Sequence, residues 1–212
     1  MFNEIFKSEM KSRSGNEDPA HDFLHLERVL TNAWQICEAE KGRWEIVEPA
    51  AWFHDFVVIR KDDPRRSQAS QISAQAAIEY LKSIQYPSQY LEEIAHAIEA
   101  HSFSANIKPK TLEAKIVQDA DRLDGLGAIG IARCFASAGL LKRAFYSAED
   151  AFCEAREPND RLFTVDHFYQ KLFRTVETLQ TESARKEGLK RAQRMKIFLE
   201  GLKAEMGKAA FA

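Results

Sequence analysis

The chain has 212 residues, 45% of them hydrophobic and 29% charged, with a formal net charge of −2. This is the composition of an ordinary soluble globular protein with enough apolar material for its own core. The near-neutral balance argues against a nucleic-acid or membrane surface, and three cysteines, Cys37, Cys134 and Cys153, make neither a CxxC pair nor a disulfide framework.

The N-terminus, MFNEIFKSEMKSRSGNED, is too polar for a signal peptide. Residues 1–20 are expected to form an arm, as a short helix or a loose segment. From about 22 to 40, Leu26, Val29, Leu30, Ala33, Ile36 and Cys37 recur at helical spacing, and Asp22 is placed to cap them. A second helix is expected over 45–59, with Pro49 in its first turn or two. RKDDPRRSQAS breaks at Pro64. Helices are expected next at 68–84, 88–101 and 111–124, separated by segments containing Pro87 and Pro109. GLGAIGIARCFASAGLL holds Arg133 and is short for a membrane span, so it is expected as a buried helix over 125–140. Residues 146–163 are expected to be irregular, as a flap. Helix resumes from Val165 to about Lys208. No run alternates as a strand would, and no repeat is evident, so the fold class is all-α.

The chemistry lies in polar residues on apolar faces. His54 and Asp55 interrupt AAWFHDFVVI; His25 borders the stripe of the first long helix; Asp121 follows Val117 by one turn. An unpaired polar group in a core costs roughly 2–7 kcal/mol. A divalent cation would neutralise all four, since neutral imidazole and ionised carboxylate are usual ligands. Other motifs are weaker. HDFLH has the i, i+4 histidines of a zinc helix but Asp in place of Glu. DADRLDG fails as a calcium loop, because Leu123 and Gly130 fall where ligands are required. DAD as a phosphatase nucleophile needs a preceding strand.

The order His25, His54-Asp55, Asp121 resembles the H…HD…D signature of the HD-domain superfamily of metal-dependent phosphohydrolases. HDFLHLERV, AAWFHDF, EAHSFSA, KIVQDADRLDGLGAIGIAR and DHFYQKLFRTVETLQT are similar to the YedJ/YpgQ-like bacterial subgroup over nearly the whole chain. The resemblance implies an HD-domain helical bundle over 21–140 with a C-terminal helical extension, 141–212, packed on the same domain. It implies one divalent metal ion per chain (Mn, Ni, Co, Fe, Zn or Mg) on His25, His54, Asp55 and Asp121. Asp119 and Asp124 are then outer-shell or capping residues. Lys61 and Asp124 are the catalytic candidates; Arg28, Arg66, His101 and Arg122 are candidates for binding substrate.

The implied reaction is hydrolysis of a nucleotide or other small phosphorylated metabolite, foremost a nucleoside triphosphate to monophosphate and pyrophosphate. Two other classes stand beside it. A di-iron oxygenase would need His96 and His101 on one metal pair, yet five helical residues turn them about 140° apart. A non-catalytic metal or nucleotide sensor is the other. A cytoplasmic location is expected, with a small phosphorylated substrate as partner, no nucleic acid, no membrane, and a homodimer left open.

Overall fold

The computed structural model describes residues 2–13, 22–59, 63–102 and 105–206, and among these the protein is all-α. The helices are α1 (Phe2–Arg13), α2 (Phe23–Glu40), α3 (Trp44–Phe53), α4 (Ala69–Ser83), α5 (Leu91–His101), α6 (Leu112–Asp124), α7 (Gly127–Leu140), α8 (Phe173–Glu177) and α9 (Glu182–Glu205). The chain divides into two compact units, Met1–Asp124 with Gln180–Ala184, and Gly125–Leu179 with Arg185–Ala212.

In the first unit α2 packs along α6, α5 packs on both α4 and α6, and α3 packs on α2 and α5. Val29, Ala33, Ile46, Ala50, Ala77, Ile94, Ile98, Ile116 and Val117 are fully buried there. Asp22 caps α2, accepting from the His25 backbone N–H at 2.8 Å. Residues 2–13 of the expected arm are a helix that buries Phe6 and Met10 and sets Phe6 edge-on against Phe53, centroids 5.0 Å apart.

Pro49 lies in the second turn of α3 and has no N–H to give to Glu45. The Tyr86 hydroxyl donates to that carbonyl instead, at 2.6 Å. The structure corrects the expected extent of this helix. It stops at Phe53, and His54 and Asp55 stand in the turn beyond it rather than mid-helix. Past that turn the Val57 backbone is held by the Ser73 hydroxyl, which accepts from its N–H at 3.1 Å and donates to its carbonyl at 3.2 Å. A side chain of α4 thus takes over the role of the next helical turn.

In the second unit α7 starts at Gly127, whose φ of +68° suits glycine. Phe135, Phe168 and Phe198 form an aromatic core, the last two rings stacked 6.0 Å apart. The segment between α7 and the next helical turn is irregular but tied down. Asp150 accepts from the backbone of Phe152, Glu154 and Ala155. Buried Asp166 accepts two bonds from Arg156 and one from the Asn159 N–H. A single bridge pairs Ala144 with Phe163.

The helix expected from 165 to 208 is broken. A π-helical turn, Phe168–Leu172, leads into α8, and the chain then leaves helix before α9. Asp119 accounts for the restart: it accepts from Gln180 N, Thr181 N and Thr181 Oγ1 at 2.7–3.0 Å, satisfying donors at the head of α9. No single helix among the described residues is long and apolar enough to cross a membrane.

Candidate metal centre

The first unit brings three imidazoles and two carboxylates to one point. His25 comes from the first turn of α2, His54 and Asp55 from the turn after α3, His101 from the end of α5 and Asp121 from α6. His54 is fully buried, His25 and His101 are 1% and 6% exposed, and the Asp55 and Asp121 side chains are each 30% exposed. Two overlapping groups result, His25–His54–Asp121 and His54–Asp55–His101, each with its donor atoms within 4.8 Å of one another.

The tautomers follow from the surroundings. His54 Nδ1 lies 2.8 Å from the Ala51 carbonyl and His101 Nδ1 2.6 Å from the Ile98 carbonyl. His25 Nδ1 lies 2.7 Å from Asp124 Oδ2. Carbonyl and carboxylate oxygens only accept, so each Nδ1 carries the proton and each Nε2 presents a lone pair. Those lone pairs face the carboxylates: His25 to Asp121 at 3.6 Å, His54 to Asp55 at 3.6 Å and to Asp121 at 4.0 Å, and His101 to Asp55 at 3.6 Å. His25 Nε2 and His54 Nε2 are themselves 3.3 Å apart. Two acceptors turned toward each other and ringed by carboxylates form a donor set that fits a cation.

Electrostatics follows the packing. Burial drives the His54 imidazole below its ordinary value despite Asp55 and Asp121. Burial pulls on His101 in the same sense, but Asp55, Asp121 and the Ile98 carbonyl raise it overall. Burial opposes ionisation of Asp121, yet His54, His25 and His101 hold its carboxyl below the usual range.

The remaining expected residues fall around this cluster. Asp124 stands one turn beyond Asp121 and accepts from both His25 Nδ1 and Arg28, whose Nε lies 2.6 Å from Oδ1. It reaches the centre through the His25 ring, which it orients. Arg28 is held by that carboxylate and is 30% exposed. Arg122 is half-buried, its guanidinium pushed down by burial against the pull of Asp119 and Asp121. Arg66 donates to the Ile59 carbonyl at 2.8 Å. Lys61 lies outside the described residues. Asp119 is the α9 cap, so of the two alternatives for it the capping one is realised. His96 accepts from the Lys110 backbone N–H at 2.9 Å and is absent from the cluster, as its spacing from His101 requires. Sequence reasoning gave His101 to the substrate; the structure sets it beside Asp55, a placement that depends on where α5 ends.

Buried amides fix the framework. Asn32 donates to the Ala120 carbonyl at 3.1 Å and Gln118 to the Ala100 carbonyl at 2.6 Å, locking α2 and α5 to the part of α6 that carries Asp121.

Comparison with known proteins agrees with this architecture. The HD domain family model matches residues 23–126. YpgQ of Bacillus subtilis strain 168 is 32% identical over 195 residues, which span 90% of this chain and 87% of that protein. The crystal structure of B. subtilis YpgQ in complex with ADP superposes with a TM-score of 0.74 at 28% identity, over 96% of this chain and 97% of that one. An HD-superfamily hydrolase from Bacillus thuringiensis gives a TM-score of 0.75 at 28% identity, over 97% and 96% of the two chains. HD domains bind divalent metals, and this cluster stands within the matched segment. By sequence over nearly its whole length, and by fold, the chain belongs to the HD-domain family of metal-dependent hydrolases.

Proposed function

We propose that the protein hydrolyses nucleoside triphosphates to the monophosphate and pyrophosphate. The observation that carries hydrolysis is the cluster of three Nε2 donors and two carboxylates in the first unit. The nucleotide is favoured by the ADP complex of the B. subtilis relative.

A bound divalent cation would polarise a phosphoryl oxygen and lower the pKa of a water beside it. The chain's own residues supply the rest. His25, His54, Asp55 and Asp121 hold the cation. Asp124 keeps the His25 ring in the tautomer that offers Nε2 and pins Arg28 next to it. Arg28 and Arg122 bring positive charge for phosphate oxygens, which carry the developing charge in phosphoryl transfer. Lys61 and Arg66 are assigned to the same task from the segment after the HD pair. His101 completes the polar wall at Asp55. The reading includes one ion per chain and a cytoplasmic location, and leaves a homodimer open.

The test is a screen of phosphorylated metabolites with each divalent metal, reading orthophosphate and pyrophosphate separately. Equal yields of monophosphate and pyrophosphate from a triphosphate are expected, with no product from the Asp55→Ala protein. Orthophosphate alone would refute the bond assignment. Lys61→Ala should leave metal content intact and lower kcat/KM by roughly 10²–10³; a change below about twofold would remove Lys61 from the machinery.

A further inference from the structure

We infer that Arg13, the last residue of α1, is a positioning residue for the metal centre and acts on Asp55 through the ring of Phe56. This rests on the metal-centre reading above and adds an element that the HD signature does not include. His54 and Asp55 stand in a turn between two phenylalanines, Phe53 just before them and Phe56 just after. Both rings are buried, and they meet edge-on with centroids 5.1 Å apart. Tyr80 of α4 touches each of them, at 5.5 and 5.7 Å.

Helix α1 reaches both rings from one face. Phe6 and Arg13 are seven residues apart, close to two full turns, so they point the same way. Phe6 sits edge-on to Phe53 at 5.0 Å. The Arg13 guanidinium carbon lies over the Phe56 ring, 4.1 Å from its centroid, well inside the range of a cation–π contact. Glu9, one turn earlier, accepts from Arg13 Nε at 2.5 Å and fixes the direction of the guanidinium.

The turn needs such a brace. It has left the helix, and the Phe56 N–H reaches back only to the Phe53 carbonyl, at 3.1 Å. Asp55 turns one carboxylate oxygen toward His54 and the other toward His101, each at 3.6 Å. A shift of the next residue would therefore disturb both relationships together, and misplacement by about 1 Å is enough to cost a site much of its function. Phe6 is fully buried, so its loss would mix packing with positioning. The Arg13 side chain is 47% exposed and separates the two.

The experiment is chelator competition for Co²⁺ on the stripped full-length protein. Arg13→Met keeps an apolar stem and removes the cation. It should bind Co²⁺ about 10-fold more weakly, while the melting temperature of the metal-free protein falls by no more than about 2–4 °C. Arg13→Lys, which keeps a cation for the ring, should return to within about threefold of the parent. Phe56→Leu should weaken binding in its own right, and adding Arg13→Met to it should change affinity less than about twofold, because the two act as one unit. Parent-like affinity in Arg13→Met would overturn the inference, and this comparison does not need Phe56→Leu to fold. A Lys variant as weak as Met, or a full further loss in the double variant, would overturn it as well. A parent protein that binds no Co²⁺ would bring down the metal centre itself, which is a different failure from a parent that binds and an Arg13→Met that binds equally.

Discussion

His25 Nε2 and His54 Nε2 face each other at 3.3 Å while the proton of each ring is already given away on its far side, to Asp124 and to the Ala51 carbonyl. Neither nitrogen can donate to the other. The pair is a repulsive contact that a cation converts into an attractive one.

Replacing Asp55 with Ala should therefore abolish metal binding. At a metal concentration 100-fold above Kd, binding stabilises the unsubstituted protein by about 2.7 kcal/mol. Thermal melts with and without metal should show this shift in the parent and none in Asp55→Ala. Full metal content in the variant, by elemental analysis, would remove Asp55 from the ligand set.

Asp124 acts through His25. Asp124→Asn keeps the shape of the carboxylate but weakens its hold on Nδ1–H and on Arg28. Metal affinity should fall about 10–100-fold, the usual effect of losing a group that orients a ligand. Chelator competition measures it, and an unchanged affinity would leave Asp124 with a purely structural part.

Asp119 and Asp121 are two residues apart and should separate cleanly. Asp119→Ala strips the cap from α9 and leaves the Gln180 and Thr181 N–H groups without their acceptor, at a cost of about 1–3 kcal/mol. Its metal content should be unchanged. Asp121→Ala should lose the metal. Denaturant titration and metal analysis of both proteins give the comparison; metal loss in Asp119→Ala would contradict it.

In the second unit Asp166 carries an acid-dependent share of stability. Burial opposes its ionisation, but Arg156 and the Asn159 N–H hold its carboxyl below the ordinary range. Such a group stabilises the fold at pH values above its unfolded pKa of about 3.9. The contribution is lost as pH falls through the lower folded value. Asp166→Asn should cost about 3 kcal/mol at neutral pH, as expected for breaking a buried ion pair. The gap to the parent protein should hold down to about pH 4 and close below it. A gap that stays constant into stronger acid would show that charge at Asp166 contributes nothing.

Local pattern revealed what is locally determined. Asp22 caps α2 where its position predicted, and helices appear at 69–83, 91–101 and 112–124 close to their expected bounds. The four signature residues could be ordered because their types are unusual inside apolar runs. Two boundaries were hidden. Nothing in AAWFHDFVVI signals a stop at Phe53, because the Val57 backbone is captured by Ser73 from another helix. Nothing between 165 and 208 signals the break before α9, because its cap is Asp119, about sixty residues earlier. His101 was hidden for a related reason: helical spacing separated it from His96, but its approach to Asp55 depends on how α5 packs on α3 and α6.

The cluster draws on positions 25, 54–55, 101 and 121, so its ligands lie up to ninety-six residues apart in the chain. Closing loops of that length comes at an entropy cost that grows with each span, and an ion meeting the unfolded chain would find no preformed site. The helices that carry the ligands bury an apolar core without the ion's help. The chain is therefore expected to fold before it takes up an ion, and circular dichroism of chelator-treated protein would show native helix content. Withholding the metal would then lower the stability of the fold without dismantling it, and metal supply would set how much of the protein is loaded.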